Sequence, residues 1–334
     1  MATPVSLLDL AIVPEGHSPG DALHRAVRTA QLAEDLGFHR FWMAEHHNMP
    51  GVASAATSVA LAHVGAHTST IRIGAGGIML PNHAPLMVAE QFGTLAALHP
   101  DRVDLGLGRA PGTDPLTIRA LRRSPESAQT FPRDVMELLG YLDGGDGLPV
   151  RAWPGDGSRV PVWLLGSSLF SAQLAAHLGL PFAFASHFAP MQLHGALQAY
   201  HEGFQPSRFL DAPHVMVAMN VYAADTEAEA RRLFTSVQLQ FLRLRTGRPG
   251  KLQPPSEQPI DPAQLQAAGV SAALARSAVG TVEQVREQVG AFLDETRADE
   301  LIVTSMMFRE EDQRRSLTLL AEALGTLTTT EAVS

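Results

Sequence analysis

The chain has 334 residues, 45% of them hydrophobic, and a formal net charge of −9. This composition is typical of a globular protein with a large buried core, and its negative charge argues against nucleic-acid binding. The absence of cysteine excludes disulfides, thiolate metal sites and a cysteine nucleophile. No apolar run approaches the roughly 20 residues of a membrane span. The N-terminal segment is not typical of a signal peptide, so we expect a soluble cytoplasmic protein.

Short apolar runs alternate along the chain with longer segments of helical periodicity. The apolar runs predict strands at Leu7–Ile12, Arg40–Ala44, Ile71–Leu80, Val103–Leu107, Val160–Leu165, Phe182–Ala185, His214–Ala223 and Leu301–Ser305. Helices are predicted at Asp21–Leu36, Ala55–Thr68, His83–Leu98, within Thr113–Leu142, and at Leu169–Leu178, Leu193–Phe204, Glu227–Leu244, Thr281–Leu293 and Arg314–Leu324.

Eight strands, each followed by helix, is the count of a (β/α)8 barrel, the TIM-barrel architecture. An open, doubly wound sheet would give the same alternation, and the strand count favours the barrel. The composition shows no internal break, so we predict a single domain over residues 1–334. The segment Thr246–Pro262 is rich in Pro, Gly and Gln, which predicts a long mobile loop.

The second predicted strand is followed by Glu45, His46 and His47. Ligands of a (β/α)8 barrel bind where the strands end, and a carboxylate beside two histidines is suited to proton transfer or metal binding. Because adjacent strand residues point to opposite faces, we expect only one histidine to face a pocket. No further ligand spacing such as HExxH accompanies them, so no metal site is predicted. The alternative is that both histidines are hydrogen-bonded structural residues.

Glycines concentrate after the third predicted strand, in the run Gly74-Ala75-Gly76-Gly77. Glycine weakens a strand, but it lets the backbone approach a flat ligand closely or adopt unusual torsion angles. The run fits neither the GxGxxG fingerprint nor the phosphate loop of nucleotide hydrolases. A β-bulge or a tight contact between a helix and a strand is the alternative explanation.

Arg109 stands in a glycine-rich turn, Gly106–Gly112, after the fourth predicted strand. An arginine held there is well placed to bind a phosphate, although an ordinary surface arginine would look the same in sequence. After the sixth predicted strand, Ser186–Phe188 could supply another pocket wall. The chain has no GxSxG elbow that would support a nucleophilic serine.

Gly166, Ser167 and Ser168 lead directly from the fifth predicted strand into a helix. Small hydroxyl residues at a helix start can cap the helix, and they can also leave amides free to bind an anion. The sequence leaves both readings open.

Taken together, these residues resemble the bacterial luciferase family of flavin monooxygenases. The matching stretches are Phe41–His47, Ile71–Pro81, Ala89–Gln91, Asp101–Gly106, Leu165–Ser168 and Gly280–Val285. Their order and spacing extend the resemblance from the first strand to the last helix. It implies a barrel that binds FMN at the carboxyl ends of its strands and that pairs as a homodimer.

The resemblance also implies which residues hold the flavin. Gly76 and Gly77 would be joined by a non-proline cis peptide that lies against the flavin ring. Arg109 would contact the FMN phosphate. Ser167 and Ser168 would complete the phosphate site from the helix start.

The resemblance places Glu45 and His46 beside the reacting edge of the flavin, with His46 as the acid/base candidate. Two departures set this chain apart from luciferases proper. They carry a cysteine on the fourth strand where this chain has Gly108, and a glutamate before the phosphate-site serine where it has Gly166 or Ser167. Light emission from a long-chain aldehyde is therefore not expected, and the chain is more similar to the shorter luciferase-like oxidoreductases.

The activity implied is that of a two-component monooxygenase, in which reduced FMN from a separate flavin reductase reacts with O2 and a small organic substrate is oxygenated. The absence of a dinucleotide fingerprint motivates the separate reductase. Two alternatives stay open. One is a hydride-transfer enzyme that uses the deazaflavin F420, whose ring the Gly76-Gly77 platform would suit equally. The other is a non-catalytic flavin-binding protein on the same scaffold.

Overall fold

Parallel strands closed into a ring form the centre of the molecule. The structure is a computed structural model that describes residues 3–110, 113–144 and 147–326. The strands are β1 Val5–Asp9, β2 Arg40–Met43, β3 Arg72–Met79, β4 Val103–Gly108, β5 Val162–Gly166, β6 Phe182–Phe184, β7 Val215–Ala223, β8 Ser277–Gly280 and β9 Glu300–Thr304. The ring runs from β1 through β7 in sequence order and is closed by β9, which pairs with both β7 and β1.

Helices surround this ring on the outside. They are α1 Pro19–Asp35, α2 Thr57–Gly65, α3 Pro85–Leu98, α4 Pro115–Ala120, α5 Phe131–Leu142, α6 Leu169–Leu178, α7 Leu193–Gly203, α8 Glu227–Arg245, α9 Pro262–Ala267, α10 Val270–Ala273, α11 Val282–Thr296 and α12 Glu310–Leu324. Their ends follow from local chemistry. At the start of α1 the Ser18 hydroxyl accepts the Asp21 amide and the Asp21 carboxylate accepts the Ser18 amide. Gly179 ends α6 in the left-handed conformation, with φ of 61°.

The predicted (β/α)8 barrel is confirmed, with two local corrections. The first strand is observed at Val5–Asp9 rather than at Leu7–Ile12, because Ala11 adopts a φ of 46° and donates its amide to the Asp9 carboxylate. The second correction is β8, a four-residue strand that was not predicted and that, among the described strands, pairs with β7 alone. Four residues are too few to show a strand pattern in sequence.

The amino ends of the strands are filled by a buried network of charges. Arg40 donates to Glu300 across 2.9 Å and to Asp104 across 2.6 Å, and Arg72 also donates to Asp104. Both carboxylates are at most 1% exposed. Because each buried carboxylate has a guanidinium partner, the desolvation of these charges is offset by hydrogen-bonded pairing. The floor of the barrel is thus occupied by side chains, and space for a ligand lies toward the carboxyl ends.

The glycine run of β3 packs against β4 at very short range. The pairing register shifts between Ala75 and Ile78, and the peptide between Gly76 and Gly77 is cis. A Cβ atom on Gly106 would lie 2.3 Å from the Ala75 carbonyl oxygen, and one on Gly77 would lie 2.6 Å from the Gly106 carbonyl oxygen. The run therefore combines an unusual torsion with a register irregularity of the kind the sequence left open, and its tight contact is with the neighbouring strand rather than with a helix.

Gly106→Ala is expected to lower the free energy of unfolding by about 1–3 kcal/mol, because the added methyl group overlaps a carbonyl that belongs to the barrel ladder. The matched control is Gly290→Ala in α11, where a Cβ atom would meet nothing within 4 Å. That control should be neutral or stabilising by up to about 1 kcal/mol, since alanine favours a helix over glycine. Urea denaturation of both variants measures the difference, and equal stabilities would contradict the close contact.

Candidate functional site

A cavity of about 800 Å³ opens at the carboxyl ends of the strands. Its volume lies within the range of cofactor and ligand sites. Its lower wall is apolar and includes Trp42, whose ring meets that of Trp163 edge to face at 5.4 Å. The residues singled out in sequence that line it are His46, Gly76, Gly77, Arg109, Gly166, Ser167, Ser168, His187 and Phe188. The rule that barrel ligands bind at strand ends thus brings most of the predicted residues together.

One end of the cavity gathers groups that bind anions. The guanidinium of Arg109 lies over the ring of Phe170, 4.0 Å from its centroid, and within the described part of the chain it has no carboxylate partner. Ser168 precedes α6, but its side chain makes no capping hydrogen bond. The first-turn amides of α6 are therefore not capped by that hydroxyl. A guanidinium, the hydroxyls of Ser167 and Ser168, and a helix amino terminus form a donor set suited to phosphate. The remainder of the predicted glycine-rich turn, residues 111 and 112, lies outside the described residues.

The two histidines after β2 point in different directions. His46 lines the cavity, whereas Glu45 is 1% exposed and lies behind the wall. A Glu45 oxygen lies 2.6 Å from Nε2 of His47 and 2.9 Å from Nε2 of His83, and the other accepts the Met79 amide across 3.0 Å. The prediction that one histidine faces a pocket is confirmed. The expectation that Glu45 lines the cavity is not met, because its oxygens are used inside this cluster.

Glu45 is ionised in this environment. Burial alone would raise the pKa of its carboxyl, but hydrogen bonds from His47 and His83 and from the Met79 amide lower that pKa to about 2. The same hydrogen bond to Glu45 raises the pKa of His47. Glu45, His47 and His83 each offer one atom that could ligate a metal, and these atoms lie within 4.8 Å of one another, close enough for one cation. The direct hydrogen bonds satisfy these groups without a metal. The sequence did not identify His83 as a member, because it belongs to a different loop.

His187 faces the cavity from the opposite side of the barrel, since β6 is four strands from β2 in the ring of eight. Burial, together with the nearby His46, lowers the pKa of His187 to about 4, so its ring is neutral at pH 7. Its Nδ1 is buried without a hydrogen-bond partner among the described residues. Asn220 donates to its backbone carbonyl across 2.7 Å and fixes this turn. His187 therefore adds a neutral, polar edge to an apolar wall.

The outer wall of the cavity is built from the end of α8 and the segment after it. Its lining residues there are Gln240, Phe241, Leu244, Arg245, Pro249 and Gly250. The segment is tied to the loop after β1 by Leu252, which is fully buried, donates to the Val13 carbonyl and accepts the Glu15 amide. The last two of these lining residues and Leu252 lie within the predicted loop Thr246–Pro262, which ends where α9 begins, and the other four belong to α8. The sequence indicated no role for the lining residues of α8, because the periodicity there shows only a helix.

Glu45→Gln is expected to lower the free energy of unfolding at pH 7 by about 3 kcal/mol, the value that corresponds to lowering its pKa from 4.5 to about 2. Because the folded-state pKa lies below the unfolded value, this contribution is present above pH 4.5 and is lost as the pH falls toward 2. Urea denaturation across that range should show a shallower acid-side loss in the variant.

The control for that variant is Glu310→Gln, which removes a surface ion pair with Arg28 and should change stability by less than about 1 kcal/mol. If wild type and Glu45→Gln lost stability in parallel below pH 4.5, the ionised cluster described above would be ruled out.

The sequence belongs to the luciferase-like monooxygenase family, whose sequence profile matches residues 5–300. A luciferase-like monooxygenase of Escherichia coli (strain K12) is 51% identical over 319 residues, which cover 94% of this chain and 95% of the relative. The N-acetyl-S-alkylcysteine monooxygenase of Bacillus subtilis (strain 168) is 35% identical over 254 residues, which cover 73% of this chain and 75% of that protein. The class of protein is therefore an oxidoreductase of the monooxygenase type.

Solved structures share the fold of this chain. Apo-MsnO8 superposes with a TM-score of 0.89 at 36% identity, covering 98% of this chain and 99% of that one. Two more distant structures share the fold alone. The oxygenating constituent of 3,6-diketocamphane monooxygenase in complex with FMN has a TM-score of 0.71 at 16% sequence identity, covering 96% of this chain and 97% of that one. An F420-dependent secondary alcohol dehydrogenase has a TM-score of 0.71 at 14% sequence identity, covering 98% of this chain and 100% of that one. No helix in the described ranges is long and apolar enough to cross a membrane.

Proposed function

We propose that this protein is a cytoplasmic, FMN-dependent monooxygenase that receives reduced FMN from a separate flavin reductase and uses O2 to oxygenate a small organic substrate. The observation that carries the proposal is the convergence of three features in one cavity. They are the anion-binding set around Arg109, the Gly76-Gly77 backbone, and His46. Membership of the luciferase-like monooxygenase family supports the reaction class, and an FMN complex among the structural neighbours supports the cofactor.

The residues present fit FMN. Arg109, Ser167 and Ser168 would hold its phosphate, and Gly76 and Gly77 would lie against its ring, since both groups line the same cavity. Bound reduced FMN supplies the electrons and activates O2. The apolar lower wall keeps water away from that reaction. The chain's own task is thus to orient the cofactor and substrate and to exclude solvent.

His46 is the acid/base candidate, because its imidazole is the one of the two adjacent histidines that faces the cavity. Glu45 and His47 act behind it. Their hydrogen bond holds the turn after β2, and the bond from Met79 to Glu45 ties that turn to β3. In this proposal His46 moves the proton, while Glu45 and His47 fix the direction in which its ring points.

The proposal includes two partners. The first is the flavin reductase, which binds transiently. The second is another copy of this chain in a homodimer. The side chains of Val59, Met87 and Leu98 on α2 and α3 are 69%, 56% and 62% exposed, and apolar surface of this kind supports association between subunits.

Arg109→Ala is expected to weaken the binding of reduced FMN by about tenfold or more and to leave the binding of reduced riboflavin nearly unchanged. The reason is that the arginine would contact only the phosphate, which riboflavin lacks. Anaerobic titrations with reduced FMN, reduced riboflavin and reduced F420 measure these affinities. Arg231→Ala is the control, since that arginine pairs with Glu227 on the outside of α8. Failure of wild type to bind reduced FMN would refute the proposal, and tight binding of reduced F420 instead would favour a hydride-transfer enzyme.

His46→Ala is expected to slow oxygenation by about 100-fold or more with reduced FMN affinity unchanged, which is the range of a lost general acid/base. Product formation is measured with a flavin reductase, NADH and O2 against a panel of thioethers that includes N-acetyl-S-alkylcysteines, the substrate class of the Bacillus subtilis relative. His177→Ala is the control, because this exposed histidine of α6 does not line the cavity, and it should keep full turnover. If wild type and His46→Ala both lack turnover and the variant keeps full flavin binding, the non-catalytic flavin-binding alternative gains.

A further inference from the structure

The charged side chains around the cavity all have the same sign. Among the described residues that line it there are two arginines, Arg109 and Arg245, but no aspartate or glutamate. The whole chain, in contrast, has 34 acidic and 25 basic residues. A cavity with only positive charge on a negative protein attracts anions and disfavours cations, since its low-dielectric walls focus the field.

The two arginines belong to different walls. Arg109 follows β4 and faces the start of α6, where the proposed function uses it for the FMN phosphate. Arg245 is in the last turn of α8, beside the apolar side chains of Phe241 and Leu244. Within the described ranges Arg245 has no carboxylate partner. The FMN site therefore leaves a second guanidinium at the cavity without an assigned ligand.

A helix end alone would explain a basic residue at this position, since cations are favoured near the carboxyl terminus of a helix. Arg243, in the same turn, fits that explanation. Its guanidinium nitrogen donates to the backbone carbonyl of Arg248 across 3.5 Å, in the exposed turn that follows. Arg245 differs because it lines the cavity. The feature that distinguishes Arg245 from Arg243 is therefore its contact with the cavity, since both residues lie at the same helix end.

We propose that the substrate is a small organic anion, with an apolar body that lies in the cavity and a carboxylate that Arg245 holds at the outer wall. This rests on the proposed function, because it assigns the Arg109 end to FMN and the remaining space to the substrate. Met49 and Val52 in the segment after β2, together with Phe241 of the outer wall, line the cavity and would cover the body of the substrate. A carboxylate pairs with a guanidinium in a charge-assisted, bidentate manner, which orients the substrate as well as attracting it.

The test uses three probes that share one apolar body: phenylbutyrate, its primary amide and phenylbutylamine. Each is titrated into the FMN-loaded protein and followed by the change in flavin absorbance. Each is also titrated into flavin-free protein and followed by tryptophan fluorescence, because Trp42 lines the cavity. Wild type should bind the carboxylate about tenfold more tightly than the amide, and the amine most weakly. Raising the ionic strength should reduce this preference.

Arg245→Gln should abolish the preference for the carboxylate and leave the affinity for reduced FMN unchanged. Arg248→Gln is the matched control, because it removes the same charge from an exposed position in the next turn that does not line the cavity. It should keep the preference. Thermal melting checks that both variants fold, which is expected since both side chains are exposed.

Equal binding of the carboxylate and the amide to wild type would overturn the inference, and so would a preference that survives Arg245→Gln. If Arg245→Gln lost affinity for FMN or F420 but not for phenylbutyrate, the inference would also be overturned, because Arg245 would then belong to the cofactor site. If flavin-free protein showed the Arg245-dependent preference while reduced FMN failed to bind, the anion site would stand and the proposed function alone would fail.

Discussion

The buried carboxylate of Glu45 is the group on which the geometry of the cavity depends. It accepts the Met79 amide, which follows the irregular stretch of β3, and it contacts His47 and His83 from two loops. Without that acceptor the Met79 amide would lose its partner in a largely buried position, a loss that costs about 1–3 kcal/mol. His46 lies between Glu45 and His47, which this cluster holds, and it lines the cavity. One ion thus positions both the backbone platform and the acid/base candidate.

The barrel separates its structural charges from its functional ones. At the amino ends of the strands Arg40, Arg72, Asp104 and Glu300 neutralise each other in a buried network. At the carboxyl ends Arg109 and Arg245 line a cavity that has no acidic residue among its described lining, while the ionised Glu45 is paired behind the wall. The first arrangement stabilises the ring, and the second leaves charge available for a ligand. This division agrees with the general behaviour of (β/α)8 barrels, in which the two ends of the strands have different roles.

The fold was predictable because eight buried strands leave apolar runs that alternate with helical periodicity. The fully buried β7, for instance, reads in sequence as an uninterrupted strand. Much of the site was predictable for a related reason. A residue directly after a parallel strand must lie at the same end of the barrel as the others, and Arg109, Ser168 and His46 all do so. The early end of β1 was not predictable, since it depends on the φ of Ala11.

What the sequence could not show are contacts made between segments far apart in the chain. His83 joins Glu45 only because two loops meet, and no spacing motif connects them. The Glu45 side chain points behind the cavity wall because its carboxylate is held there by His47, His83 and the Met79 amide. Arg245 is placed at the cavity by the packing of α8, and its local sequence is that of any basic helix end. In each case the signal lies in the tertiary arrangement rather than in a pattern of residues.

The outer wall of the cavity, formed by the end of α8 and the residues that lead to Leu252, has a separate consequence. It meets the loop after β1 through Leu252 but supplies no strand to the ring. Insertions or exchanges in this wall can therefore accumulate during evolution without disturbing barrel closure or the Arg109 end of the cavity. Descendants of one ancestral barrel could diverge in what they oxidise while keeping the same core, and an engineer could graft this wall from one relative onto another.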